Sequence, residues 1–182
     1  MNKQQFWSII DDAKKQASDW EGMIEPLVNS LASLDVSDIM LWQQIFSEYQ
    51  RLSYKNKLWA AAYVINGGCS DDGFDYFRAW LTAQGKDIYI SALYDPETLA
   101  EIDSRDSFFE EMLGVAYDAY FKKIGIDSDY DRFDEELKKH LLSDIEKSEI
   151  ASEVKYAEDM DANWNEDNLK ELLPKLCEVF EW

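Results

Sequence analysis

Leu58-Trp-Ala-Ala-Ala-Tyr-Val-Ile65 has no polar face, and it is bracketed by Lys55-Asn-Lys57 on one side and Gly67-Gly68 on the other. As a helix, eight residues reach about 12 Å at 1.5 Å each, far short of the ~30 Å of a bilayer core. A short segment that is apolar all round must be covered by protein on all sides. The glycine pair gives it a place to stop. The chain is therefore expected to wrap further elements around a central helix.

Those covering elements also read as helices. Phe6, Ile9, Ile10, Ala13, Ala17 and Trp20 recur at spacings of three and four, the stripe of an amphipathic helix. After Gly22, Pro26 suits the first turn of a second helix carrying Leu27, Leu31 and Leu34. Ser37 is a candidate cap for a third, with Ile39, Trp42, Ile45, Phe46, Tyr49 and Leu52 on its face. Another helix is expected from the Cys69–Gly73 turn to about Gln84, stopped by Gly85. Lys86 to Leu93 alternates like a strand, but no partner strand exists elsewhere, so helix is the expectation. Asp95-Pro96 begins a short helical turn. Ser107-Phe-Phe-Glu110 has the capping-box pattern ahead of a helix that Gly125 closes. Phe133, Leu137 and Leu141, then Ile150 and Val154, then Leu169 to Phe180 continue the helical period, with Pro174 kinking or restarting the last helix.

At 46% hydrophobic residues, 182 positions suffice for one core without disulfides or metals. The expectation is an all-α, single-domain bundle over residues 1–182. Residues 1–125 form its aromatic-rich portion and 126–182 an acidic helical cap.

Charge narrows the function. The formal net charge is −20, and it is uneven: residues 1–94 hold 12 acids and 8 bases, residues 95–182 hold 26 and 10. Phosphate binding needs clustered cations, so nucleic acid and anionic membranes are not expected partners. One histidine and two cysteines cannot build a usual structural zinc site. The N-terminus has no signal-peptide pattern, and two distant cysteines read as reduced thiols, which suggests a cytoplasmic protein.

The central block also belongs to a longer motif. Residues 58–81, Leu-Trp-Ala-Ala-Ala-Tyr-Val-Ile-Asn-Gly-Gly-Cys-Ser-Asp-Asp-Gly-Phe-Asp-Tyr-Phe-Arg-Ala-Trp-Leu, resemble the signature of a bacterial domain family of unknown function, number 4240 in that series. Phe6-Trp7-x-x-Ile10, Ala92-Leu-x-Asp-Pro-Glu-Thr-Leu99, and Trp164-Asn-Glu-Asp-Asn-Leu169 ahead of Pro174-Lys-Leu176 fit the same resemblance. Where the family has an aromatic after Pro-x-Leu, this chain has Cys177. The resemblance implies a bacterial origin and carries no activity.

Within the motif, the acidic turn is the candidate site, and two readings of it stand. In the first, Ser70 or Asp72 caps the helix, the carboxylates complement its dipole, and Asp75 pairs with Arg78 one turn on. In the second, Asp71, Asp72, Asp75 and Arg78, with Ser70, Trp59 and Trp80 beside them, form a pocket. Three close carboxylates raise one another's pKa unless a cation joins them, so Asp71, Asp72 and Asp75 would hold Mg²⁺ or Ca²⁺.

Other motifs fail on their spacing. Gly68-x₄-Gly73 is followed by Phe74-Asp75 instead of the Lys-Ser/Thr of a phosphate loop. The calcium-loop starts at Asp127 and Asp161 lack the glycine and the terminal glutamate. His140, at the edge of an apolar face, has no nucleophile to pair with. Cys69 lies beside aspartates that oppose its ionisation, and Cys177 reads as a core residue. Trp7, Trp20, Trp164 and Trp182, at element ends, are candidates for an exposed contact surface. The leading expectation is an acidic helical module that binds a basic protein, resembling an immunity protein or a nucleic-acid mimic. The alternative is a metal-dependent hydrolase or small-ligand domain built on Asp71, Asp72, Asp75 and Arg78.

Overall fold

The computed structural model describes residues 1–102 and 104–182, and among these it is helical with no strand. Helix α1 (Lys3–Gln16) is opened by an Asn2–Gln5 capping box. A 3₁₀ turn (Glu21–Met23) leads into α2 (Ile24–Ala32), α3 (Val36–Leu52), α4 (Asn56–Ile65), α5 (Asp71–Ala83) and α6 (Lys86–Tyr94). Two 3₁₀ segments (Pro96–Glu101 and Glu110–Gly114) precede α7 (Val115–Ile124). The acidic portion adds α8 (Tyr130–Leu137), α9 (Asp144–Ala151), α10 (Leu169–Leu172) and α11 (Pro174–Val179). No helix among the described residues is long and apolar enough to cross a membrane.

Helix α4 is buried over most of its surface, but Trp59 and Tyr63 are only half-buried, and it is α3 that packs against α1, α2, α5, α7, α8 and α9. Leu58, Ala60, Ala61, Ala62, Val64 and Ile65 of α4 are buried, and that helix ends at Gly67 and Gly68, both at positive φ. One core of buried side chains extends from Phe6 to Cys177. Its centre is aromatic: Phe6 lies about 5 Å from Trp7, Trp42 and Tyr49, and Trp42 stacks on Phe46. Lys86–Tyr94 is a helix, as expected where no second strand exists to complete a ladder.

Four local expectations are corrected. Helix α3 begins before Ser37, because the Asp35 carbonyl already accepts from Asp38 and Ile39. Ser107 does not cap: its buried hydroxyl donates to the Ser104 carbonyl, and a 3₁₀ turn intervenes before α7. Helix α8 stops at Leu137, so Leu141 lies in solvent instead of continuing its apolar face. Trp7 is buried, and Trp20, Trp164 and Trp182 are half-buried against the core, so these four do not form an exposed surface.

Two of the stretches that resemble the family meet in space. The buried Glu97 carboxylate accepts from the Lys175 and Leu176 amides at 3.1 and 2.8 Å, capping α11 from 78 residues away.

Between α5 and α6 the chain turns at Gly85, whose φ of +94° and ψ of 169° are a conformation reserved for glycine. A Cβ there would also stand 3.0 Å from Asp11 Oδ1. Gly85→Ala is expected to lower the unfolding free energy by about 2 kcal/mol. Gly114→Ala, at φ −92° with open space around it, is expected to be neutral. Denaturant titration of the two variants checks the contrast.

Candidate functional site

The acidic turn is held by its first residue. Ser70 Oγ accepts from the Gly73 amide at 3.1 Å, satisfying one of the free N–H groups at the start of α5. Asp71 and Asp72 follow in the first turn, exposed, where negative charge suits the helix dipole. They make no ion pair with any described side chain.

Asp75 and Arg78 behave differently. The Arg78 guanidinium is buried and bonds Asp75 through Nη2 and the Gln50 carbonyl through Nη1. Its plane lies 4.8 Å from the Tyr54 ring centroid and 4.9 Å from that of Phe74. Burial lowers the Arg78 pKa, and Asp75 works against that fall. Thr82 accepts from Gln50 and donates to the Arg78 carbonyl. Arg78 is therefore a strut joining α3 to α5, bonded through both Nη atoms while its Nε is buried without a partner.

Trp59 stacks on Phe74 at 5.0 Å and donates to the Cys69 carbonyl, fixing the loop that precedes α5. Trp80 is fully buried, facing Phe77 at 5.4 Å. The structure thus brings Trp59, Asp75 and Arg78 together, leaves Asp71 and Asp72 outside, and places Trp80 in the core. Among the described residues no three acidic, histidine or cysteine side chains gather closely enough to hold a metal ion. Burial raises the Cys69 thiol to about 11, with the Trp59 contact pulling the other way. Cys177 is buried and also raised. His140 rests against Glu136 at 3.2 Å.

A second polar centre has no counterpart in the sequence motifs. Trp7 Nε1 donates to the Tyr49 hydroxyl at 2.9 Å, and that hydroxyl donates to Glu153 Oε2 at 3.0 Å. Glu153 Oε1 receives Lys86 at 2.8 Å and Lys3 at 3.2 Å. Burial pushes the Glu153 carboxyl up, but the bonds from Lys86, Tyr49 and Lys3 outweigh it, and its pKa lies below the ordinary carboxylate value. Burial raises the Tyr49 phenol well above its usual range. Trp7 and Lys86, members of this network, line a surface cleft of about 580 Å³ between α1 and α6, with Asp11 and Asp87 at its sides. The partners of Glu153 are 67 and 104 residues away, so no local spacing could have singled it out.

Residues 1–122 match the family described as Protein of unknown function (DUF4240). The chain belongs to that family. The match takes in the whole residue 58–81 motif and the acidic turn. The DUF4240 core thus runs from α1 almost to the end of α7. Trp164–Leu176 and the rest of the acidic portion lie beyond the matched residues. Comparison with curated proteins and with solved structures gives no match.

Two outcomes follow from this geometry. Asp75→Ala leaves a buried guanidinium short of a partner and is expected to cost about 1.5–3 kcal/mol, whereas Asp71→Asn and Asp72→Asn each stay within about 1 kcal/mol. Glu153 has a folded pKa below its unfolded one. Its contribution is therefore complete above the ordinary carboxyl value of about 4.3 and is lost as pH falls through the folded value. Glu153→Gln is expected to be less stable than wild type at pH 7, with the difference shrinking below about pH 4. Denaturation at pH 7 and pH 3 measures it; an equal difference at both would contradict the assignment.

Proposed function

We propose that this protein is an acidic helical binding module that engages a basic protein partner. The observation that carries the reading is where its cations go. All eight Lys and Arg of residues 1–94 are engaged inside the molecule. Lys3 and Lys86 meet Glu153, Lys55 meets Asp161, and Lys57 meets Asp159. Lys15, Arg51 and Arg78 pair with neighbours on their own helices. Lys14 bonds the Gln84 carbonyl. The net charge of −20 is therefore carried by acids that these cations do not pair, most of them exposed.

A surface of that kind accelerates encounter with a cationic partner and repels polyanions, and salt weakens both effects. A protein that neutralises a cationic toxin, or one that occupies a nucleic-acid-binding surface by imitation, would use it in this way. The reading built on Asp71, Asp72, Asp75 and Arg78 as a hydrolytic or ligand-binding centre is less well supported. Arg78 already bonds Asp75 and Gln50 through its two Nη atoms and lies between two aromatic rings, although its Nε is buried without a partner, and Asp71 and Asp72 stand apart from it in solvent.

The test is capture of partners from native lysate on the immobilised protein, with washes at low and high salt. The expected result is a basic protein held near one-to-one and released as the screening length falls from about 10 Å at 0.1 M to 3 Å at 1 M. Retention of only acidic or neutral proteins, indifferent to salt, would contradict the reading, as would retention of none.

A further inference from the structure

Helix α9 is amphipathic in an unusual sense, because it carries apolar residues on two sides. The Ser143–Glu146 capping box opens it, and Ile150 on its inner side is buried in the common core. On its outer side Ile145 is 72% exposed, and Leu141, in the turn before the helix, is 65% exposed. These are the two most exposed large hydrophobic side chains among the described residues.

Ile145 stands on an open, nearly flat patch of α9 with Asp144, Ser148, Glu149 and Ser152. Both serines turn their hydroxyls inward, Ser148 to the Asp144 carbonyl and Ser152 to the Glu149 carbonyl, each at 2.7 Å. Their donors are spent on the helix itself. The patch is therefore apolar around Ile145, with two carboxylates beside it and no cation in its lining.

We infer that this α9 face, comprising Leu141, Ile145 and the carboxylates Asp144 and Glu149, is a docking surface for a basic amphipathic helix of a partner protein. The inference rests on the binding-module reading above and names its surface. Charge selects the occupant. The apolar edge of a helix covers Ile145 while lysines or arginines on its flanks meet Asp144 and Glu149, helix packed against helix. A second copy of this chain is disfavoured, since each molecule carries a net charge of −20. The face belongs to the acidic portion outside the residues that match the family, so the family core acts as its scaffold.

The test uses a synthetic helical peptide with leucines along one face and lysines on the other, and a scrambled peptide of the same composition. Binding is titrated at low and high salt, and sedimentation reports self-association. Wild type is expected to prefer the amphipathic peptide. L141S/I145S is expected to bind it about ten-fold more weakly, at unchanged Tm because both residues are exposed. D144N/E149Q is expected to lose much of the salt dependence, and D71N/D72N to bind as wild type. Equal binding by wild type and L141S/I145S would overturn the docking surface while leaving the acidic-module reading intact. Absence of salt-dependent binding to either peptide would overturn both. Concentration-dependent dimers that vanish in L141S/I145S would overturn the choice of occupant.

Discussion

Lys3, Lys55, Lys57 and Lys86 reach from the first half of the chain to carboxylates at 153, 159 and 161. Those four contacts run across the stretch after α9 where the chain makes little regular structure of its own. The Lys57 amide adds a bond to the Met160 carbonyl, Tyr156 reaches the Leu52 carbonyl, and Tyr63 meets Glu166 at 2.6 Å. Exposed ion pairs taken singly are worth little, about 0–1 kcal/mol each. Here several act on one short segment, beside the buried anchors Ile150, Val154, Met160 and Leu169. The acidic portion is held to the family core by this combination, and most of its remaining acids are exposed.

That arrangement links fold to function through charge. The family core contributes an aromatic interior and a cation supply that is consumed internally. The portion beyond residue 122 contributes α8 to α11 and 18 of the 38 acids. Glu153 is the junction, since it joins Tyr49 and Trp7 of the interior to Lys3 and to Lys86, which lines the cleft between α1 and α6.

Much of the fold was legible because its signals are local. An eight-residue block with no polar face has few alternatives to a buried helix, and Gly67, Gly85 and Gly125 mark reversals that need positive φ. The misreadings share one cause. Ser37, Ser107 and Leu141 each fit a local pattern, and each was decided by a bond or a chain turn that the pattern does not encode.

The candidate site divides along the same line. The Ser70 cap and the Asp75–Arg78 pair lie within one or two turns and could be read directly. The burial of Arg78 between Tyr54 and Phe74 depends on how α3 meets α5, and Glu153 on how the end of the chain returns to its beginning. Neither leaves a spacing in the sequence.

Hydrogen exchange across the chain, at low and at high salt, tests most directly whether the acidic portion is fastened to the core by these contacts. The account predicts that the amides of Lys57, Val154 and Met160 are protected with the core helices at low salt, and that Val154 and Met160 lose protection before the core as salt rises. Exchange of Val154 and Met160 at unfolded rates in low salt, with α3 and α4 still protected, would contradict it.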